Sequence, residues 1–265
     1  MTSRKYVFLA AVVGAGLLVG GLVTASFLHA AEAAKTEAPK AAEPKAPDAK
    51  AAEPAKEQPG TSASGEKMVP LEIKLPKAMF EGTPKNIRPA PTLEKYVDKP
   101  RPVFMVPEGV KNLSKDKPVK SSDMEPIIGE LKLITDGDKE GTDGSYVELG
   151  PGRQWIQIDL KEPAAIYAIL MWHYHGEGRV YHDVVIQAAD DADFIENVKT
   201  IYNNDFDNSS GLGIGKDLEY IEDYRGRLID AKGAKSRYLR LYSKGNTSND
   251  QNHYIEVEVY GKPAK

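Results

Sequence analysis

The chain has 265 residues and no cysteine. That absence excludes disulfide staples and a lipoprotein anchor acylated on a thiol, so the fold must be held by its core, with metal as the remaining staple. There is no surplus of positive charge either. Lys and Arg number 35 against 39 Asp and Glu, the formal net charge is −4, and no basic patch stands out. Nucleic acid is therefore set aside as a partner. Catalytic motifs are missing as well. No HExxH, GxSxG or Cys/His nucleophile arrangement is present, and the acid pair Asp190-Asp191 sits in a predicted turn without a partner. GLGIG, residues 211–215, lacks the full GxGxxG spacing and has no βαβ unit around it, so it reads as a hairpin loop. No amphipathic helical window of useful length appears. The expectation is a binding protein, not an enzyme.

What is present begins with an export signature. Arg4 and Lys5 precede an uncharged apolar run over residues 6–28. The run is longer than an ordinary signal core and long enough to span a bilayer, which takes about 20 residues. Ala31-Glu32-Ala33 offers a small-x-small cleavage site. Residues 1–33 are thus a signal peptide or a single-span membrane anchor, and both readings place the rest outside the cytoplasm, at a cell surface, in a periplasm or secreted. Residues 34–67 form a tether. In the stretch 31–60, Ala, Pro, Lys and Glu make up 26 of 30 positions, too little apolar surface to offset the entropy of ordering. Residues 68–110 carry apolar side chains, but prolines at 70, 76, 84, 89, 91, 100, 102 and 107 rule out helix and central strand. An extended Pro-rich arm, lying along the domain or along a partner, is expected.

From Lys111 to Pro263 the pattern is strands and turns. YIEVEVYG (254–261) alternates, with Ile255, Val257 and Val259 on one face and Tyr254, Glu256, Glu258 and Tyr260 on the other. WIQIDL (155–160) alternates too. AIYAILMWHY (165–174) is a nearly continuous apolar run, as in a buried central strand. HDVVIQAA, VKTIYN, LEYIE and RYLRLYS follow between turns. Many short strands at even spacing mean an all-β sandwich or jelly roll.

The acidic turn ITDGDKEGTDG (134–144) and the carboxylate on the closing strand have the layout of a Ca²⁺ clip. An EF-hand reading fails, because position twelve falls on Val147 and no flanking helices are readable. A solvated acidic turn is the alternative.

Laid in order, NLSKDKPVKSSD (112–123), LITDGD with Thr142, PGRQWIQIDL (151–160), GRVYHDVVIQAADD (178–191), RYLRLY (237–242) and EVEVYG (256–261) resemble the discoidin, or coagulation-factor type C, family over residues 112–261. The resemblance implies a discoidin-type jelly-roll β-sandwich of the galactose-binding-like kind, often calcium-clipped, with ligand loops at one end, and it takes the Ca²⁺ ligands from Asp136 or Asp138, the Thr142 oxygen, backbone carbonyls and Glu256. Function does not follow from fold alone. The sequence also departs from the family's sugar binders. Those have His before the Ile-x-Ile-Asp-Leu strand and Arg after the next one. Here the two places hold Arg153-Gln154 and His173-Tyr174-His175.

His173, His175 and His182 lie within ten residues of one another. Such imidazoles can ligate Zn²⁺ or Cu²⁺, hydrogen-bond sugar hydroxyls beside aromatic faces, or simply pack. The candidate ligand site is therefore Trp172, His173, His175, Arg179, Tyr181 and His182, with Arg179 alternatively structural. The expected partner is a glycan or matrix polysaccharide. The alternative is a structural subunit docking on an exported protein surface.

Overall fold

The computed structural model describes residues 65–264. The signal or anchor segment and all but the last residues of the tether lie outside the described residues. No helix among the described residues is long and apolar enough to cross a membrane.

The elements are β1 (Met68–Pro70), β2 (Met105–Pro107), β3 (Lys111–Asn112), β4 (Val119–Ser121), β5 (Val147–Leu149), β6 (Gln154–Trp172), β7 (Val185–Ala189), β8 (Lys199–Asn203), β9 (Arg227–Ser243), β10 (Asn252–Tyr254) and β11 (Glu256–Pro263). All strand pairings are antiparallel. β6 and β9 organise the rest. They pair along their whole lengths but turn a corner together, where Asp159 faces Tyr238 and the next partners are Ala164 and Ser236. Lys161 takes positive φ at that corner, and Lys232 and Gly233 take it at a second register shift, where Ile166 faces Ala234 and Ala168 faces Asp230; left-handed residues let paired strands bend. The first half of β6 and the last half of β9 join β4, β7 and β8 in one sheet. Their other halves join β11 and β3 in the second.

The two sheets enclose one core. Ile156, Ile158, Ile186, Leu239 and Leu241 of the first meet Ile166, Ile169, Met171, Val257 and Val259 of the second. This is the antiparallel all-β sandwich that the strand pattern and the discoidin-type resemblance imply.

The second sheet is apolar on its outer face too. Ala168, Leu170 and Trp172 of β6, with Ile255 and Tyr260, form a separate cluster covered by Leu71, Ile73 and Phe104. The segment before β3 thus lies along the domain. Its backbone joins the domain at Glu94, whose N–H donates to the Glu219 carbonyl (2.9 Å). The Arg101 guanidinium reaches the carbonyls of Arg225 (2.8 Å) and Gly226 (2.6 Å).

Two sequence expectations change. The alternation over 254–261 breaks at Ile255. Tyr254 packs in the main core with Val257, while Ile255 packs in the outer cluster. The reason is topological, since β10 pairs with β5 and β11 pairs with β6, so the chain changes partner at Ile255. LEYIE forms no strand and makes only the bridges Leu93–Glu219 and Val180–Ile221.

Candidate functional site

The end of β6 does not open onto solvent. Trp172, His173 and His175 have no exposed surface, and Tyr181 is buried. Each has an interior task. Trp172 Nε1 donates to the Tyr224 carbonyl at 2.9 Å. His173 stacks on Tyr181 with ring centres 4.2 Å apart, and its Nδ1 lies 3.3 Å from Glu222 Oε2. The Tyr181 hydroxyl meets His253 Nδ1 at 3.0 Å, and His253 Nε2 lies 3.1 Å from Glu148 Oε2. His175 Nε2 donates to the Lys139 carbonyl at 2.8 Å. Arg179 pairs with Glu177 at 3.0 Å and lies over the Tyr174 ring. Of the expected ligand residues, Trp172, His173, His175 and Tyr181 are thus interior and offer no surface to a ligand, while Arg179 keeps a little. His182 alone of the six is well exposed, paired with Glu219 at 3.0 Å.

The acidic loop converges on Glu256. A 3-10 turn at Leu131–Thr135 delivers Asp136. Asp136 Oδ1 accepts the Asp138 N–H (2.8 Å), and Asp138 accepts the Glu140 N–H (3.0 Å) and the Ser145 hydroxyl (2.7 Å). Thr142 Oγ1 is 3.5 Å from Ser145 Oγ. The Gly137 N–H donates to Glu256 Oε2 at 3.0 Å. Gly137 and Gly141 take positive φ, and at Gly141 a Cβ would fall 2.8 Å from Ile255 Cδ1. Glu256 is fully buried, and its Oε1 has no partner among the described residues. Burial, outweighing the Gly137 hydrogen bond, pushes its carboxyl up to about 9. A lone buried carboxylate oxygen beside oxygen-rich backbone fits a hard cation. Neighbouring Glu258 is satisfied differently, by the Lys139 ammonium at 2.6 Å and the Tyr260 hydroxyl at 2.7 Å.

A second acidic group was not read from sequence. One ligand oxygen each of Asp183, Asp205 and Asp207 lie within 4.8 Å of one another and could hold a metal ion. Burial raises the Asp205 carboxyl, but the Ser210 hydroxyl and the N–H groups of Ser210 and Ser209 outweigh it and hold the group below its usual value. The signal was the run NNDFDNSS (203–210), rich in residues that fold back on their own backbone.

Beside this group lies a groove of about 420 Å³, lined by Thr92, His182, Asp183, Asn204, Phe206 and Lys244 among others. Asn204 Oδ1 accepts the Val184 N–H at 2.6 Å, and its amide NH₂ has no partner among the described residues. Lys244 Nζ lies 3.6 Å from Asp183 and 2.8 Å from Ser209 Oγ. Phe206 is 36 % exposed.

No family model matches the chain, and no curated protein matches it. Among solved structures, it is similar to a family 89 glycoside hydrolase from Clostridium perfringens (20% identity, TM-score 0.43). The match covers 58% of this chain, and the chain spans 15% of the hydrolase. It is also similar to a fucose-binding module from Streptococcus pneumoniae (19% identity, TM-score 0.41, covering 57% of this chain and 97% of that one). A third is a chitosan-binding module from a chitosanase/glucanase of Paenibacillus sp. IK-5 (19% identity, TM-score 0.38, 57% and 99%).

Proposed function

We propose that this chain is an exported, non-catalytic glycan-binding module whose sandwich is clipped by Ca²⁺. The observation that carries the glycan reading is the groove. It sets carboxylates (Asp183, Asp207 and Glu219) and the Lys244 ammonium beside the partly exposed Phe206 ring. A sugar has an apolar ring face and a rim of hydroxyls that both donate and accept, so it uses all of these at once. The groove replaces the buried Trp172–Tyr181 end as the ligand site, with His182 retained.

Ca²⁺ would be held by Glu256, the Thr142 oxygen and the loop carrying Asp136 and Asp138. Its charge would neutralise a carboxylate that is otherwise buried without a counter-ion. The alternative, a subunit docking on other exported proteins through its arm, is less well supported. Leu71, Ile73 and Phe104 are already used on the chain's own outer face.

A glycan array followed by calorimetric titration tests the reading. Phe206→Ala and Lys244→Ala should each weaken the best ligand about tenfold, the worth of one stacked or charge-assisted contact. Unchanged affinity in both, with the fold intact, would remove the groove.

A further inference from the structure

A second recess lies where the N-terminal segment seats on the domain. It has a volume of about 360 Å³, and Tyr96, Arg101, Tyr220, Arg225 and Arg227 are in its wall. Its charge is opposite to that of the whole chain. Five cations line it (Lys95, Lys99, Arg101, Arg225 and Arg227) against two carboxylates, Glu94 and Asp223, in a chain of net charge −4. Both carboxylates are already used. Arg227 holds Glu94 at 2.7 Å, and Arg225 holds Asp223 through Nε at 2.9 Å. Lys95, Lys99 and Arg101 have no carboxylate partner among the described residues.

Arg101 is the informative one. It is half-buried, and only its Nη2 is spent, on the carbonyls of Arg225 and Gly226. Its Nε and Nη1 have no protein acceptor among the described residues, and neither is among the buried unpartnered atoms, so both are open to solvent. Burial lowers its pKa, which Asp223 offsets only in part. A half-buried guanidinium with unspent donors presents a planar fork that matches an oxyanion. Tyr96 and Tyr220 add ring surface beside it, with the Arg225 and Arg227 guanidinia 5.4 and 4.7 Å from their centres.

The recess adjoins the groove. Thr92 and Glu219 line the groove, Glu94 and Tyr220 line the recess, and the bridge between Leu93 and Glu219 runs between them. A linear polymer lying across that bridge would touch both.

We propose that this recess is an anion subsite, in which Arg101, helped by Lys95 and Lys99, takes the carboxylate or sulfate ester of an acidic polysaccharide. The proposal rests on the glycan-binding reading and narrows it to acidic chains.

The test is calorimetric titration of the full chain with oligogalacturonate, its carboxyl-reduced neutral form, and a sulfated galactose oligomer. Wild type should bind at least one acidic oligomer and bind the neutral form more weakly. Arg101→Gln should weaken the acidic oligomer about 10- to 100-fold, the worth of a charge-assisted bidentate contact. Because Arg101 also ties the segment down, the exposed pair Lys95→Glu/Lys99→Glu provides a second readout that leaves the packing alone. It should weaken acidic binding several-fold, and the loss should shrink as salt rises. Which acidic oligomer responds separates uronate from sulfate. Equal affinity for the acidic and neutral oligomers, or unchanged acidic affinity in both variants, would overturn the subsite. A neutral oligomer that still depends on Phe206 would then leave the glycan reading standing. No binding of any glycan by wild type would sink both.

Discussion

In the calcium-free protein, stability should fall steeply as pH rises, and Glu256 should be the cause. Its carboxyl is fully buried, with one oxygen on the Gly137 N–H and the other without a partner among the described residues. Burial lifts it from its ordinary 4.5 to about 9. A folded-state value above the unfolded one means that the folded state holds the proton longer. The stabilisation is fully present below about 4.5 and is lost as pH climbs through about 9. At about 1.4 kcal/mol per unit, the span of roughly four and a half units sets a ceiling near 6 kcal/mol. That is comparable to the entire stability of many domains, at 5–15 kcal/mol. Local opening of the 136–142 loop would relieve part of it, so the measured fall is smaller. Ca²⁺ reverses the slope, because it binds the ionised carboxylate in competition with the proton. At a hundredfold excess over Kd it adds about 2.7 kcal/mol. Urea denaturation at about pH 5 and about pH 8.5, in chelator and in millimolar Ca²⁺, reads all four states. Glu256→Gln should flatten the chelator slope and abolish the Ca²⁺ response. Glu258→Gln should do neither, since Lys139 and Tyr260 hold that group. Superimposable chelator and Ca²⁺ curves at about pH 8.5 would refute the clip, and a chelator slope unchanged in Glu256→Gln would refute the burial argument.

Two further outcomes follow from the packing. Phe104→Ala removes part of the cover from the outer cluster of Leu170 and Trp172, and should cost about 2 kcal/mol by urea denaturation, roughly half the value for a fully buried ring. A change within error would mean that the segment before β3 carries no stability. His253 should make the protein acid-sensitive. Burial, then Arg179 and His173, holds its imidazole down at about 4 from 6.5, although Nε2 lies 3.1 Å from Glu148. Its contribution is present above about 6.5 and lost as pH falls through about 4, with a ceiling near 3 kcal/mol. The sign is opposite to that of Glu256, so the experiment belongs in the Glu256→Gln background. His253→Gln should flatten the acid limb there, and an unchanged limb would assign it to another group.

The strands were legible where one face is wet and the other dry. WIQIDL alternates because its outward residues meet solvent or turns. The corner at 160–163 was not legible, since Lys161 and Pro163 read locally as the end of a strand. Pairing with β9 through that bend, Asp159 with Tyr238 and Ala164 with Ser236, is a property of two segments far apart in the chain. The first half of β9 was missed for the same reason. Gly226 and Gly233 flank charged residues there, and only the partner strand makes them β. The meeting of the acidic loop with Glu256 was legible because the loop's carboxylates are local and only one other sits on the closing strand. The burial of His173 and His175 was not legible, because a strand turning polar at its end looks as though it is leaving a core. Glu222, Tyr254 and His253 close over them from distant parts of the chain.

The run AILMW carried more information than its length suggests. A strand in an antiparallel sheet with a solvated outer face alternates. This one does not, so a second layer had to cover it, and the sequence left open only which layer. The answer is the proline-rich stretch. Proline cannot donate to a ladder, yet an extended chain with few amide donors to satisfy suits a layer that covers apolar surface largely through side chains. Leu71, Ile73 and Phe104 supply the contact, and β1 and β2 close the stretch on itself. Its position has a functional consequence. Thr92 lines the groove, and Glu94 to Arg101 line the cationic recess. Both candidate binding surfaces thus include residues from before β3, and the recess, most of one wall of which is that stretch, exists only while it is seated. A cover first required by hydrophobicity thus also sets what the sandwich presents to a ligand.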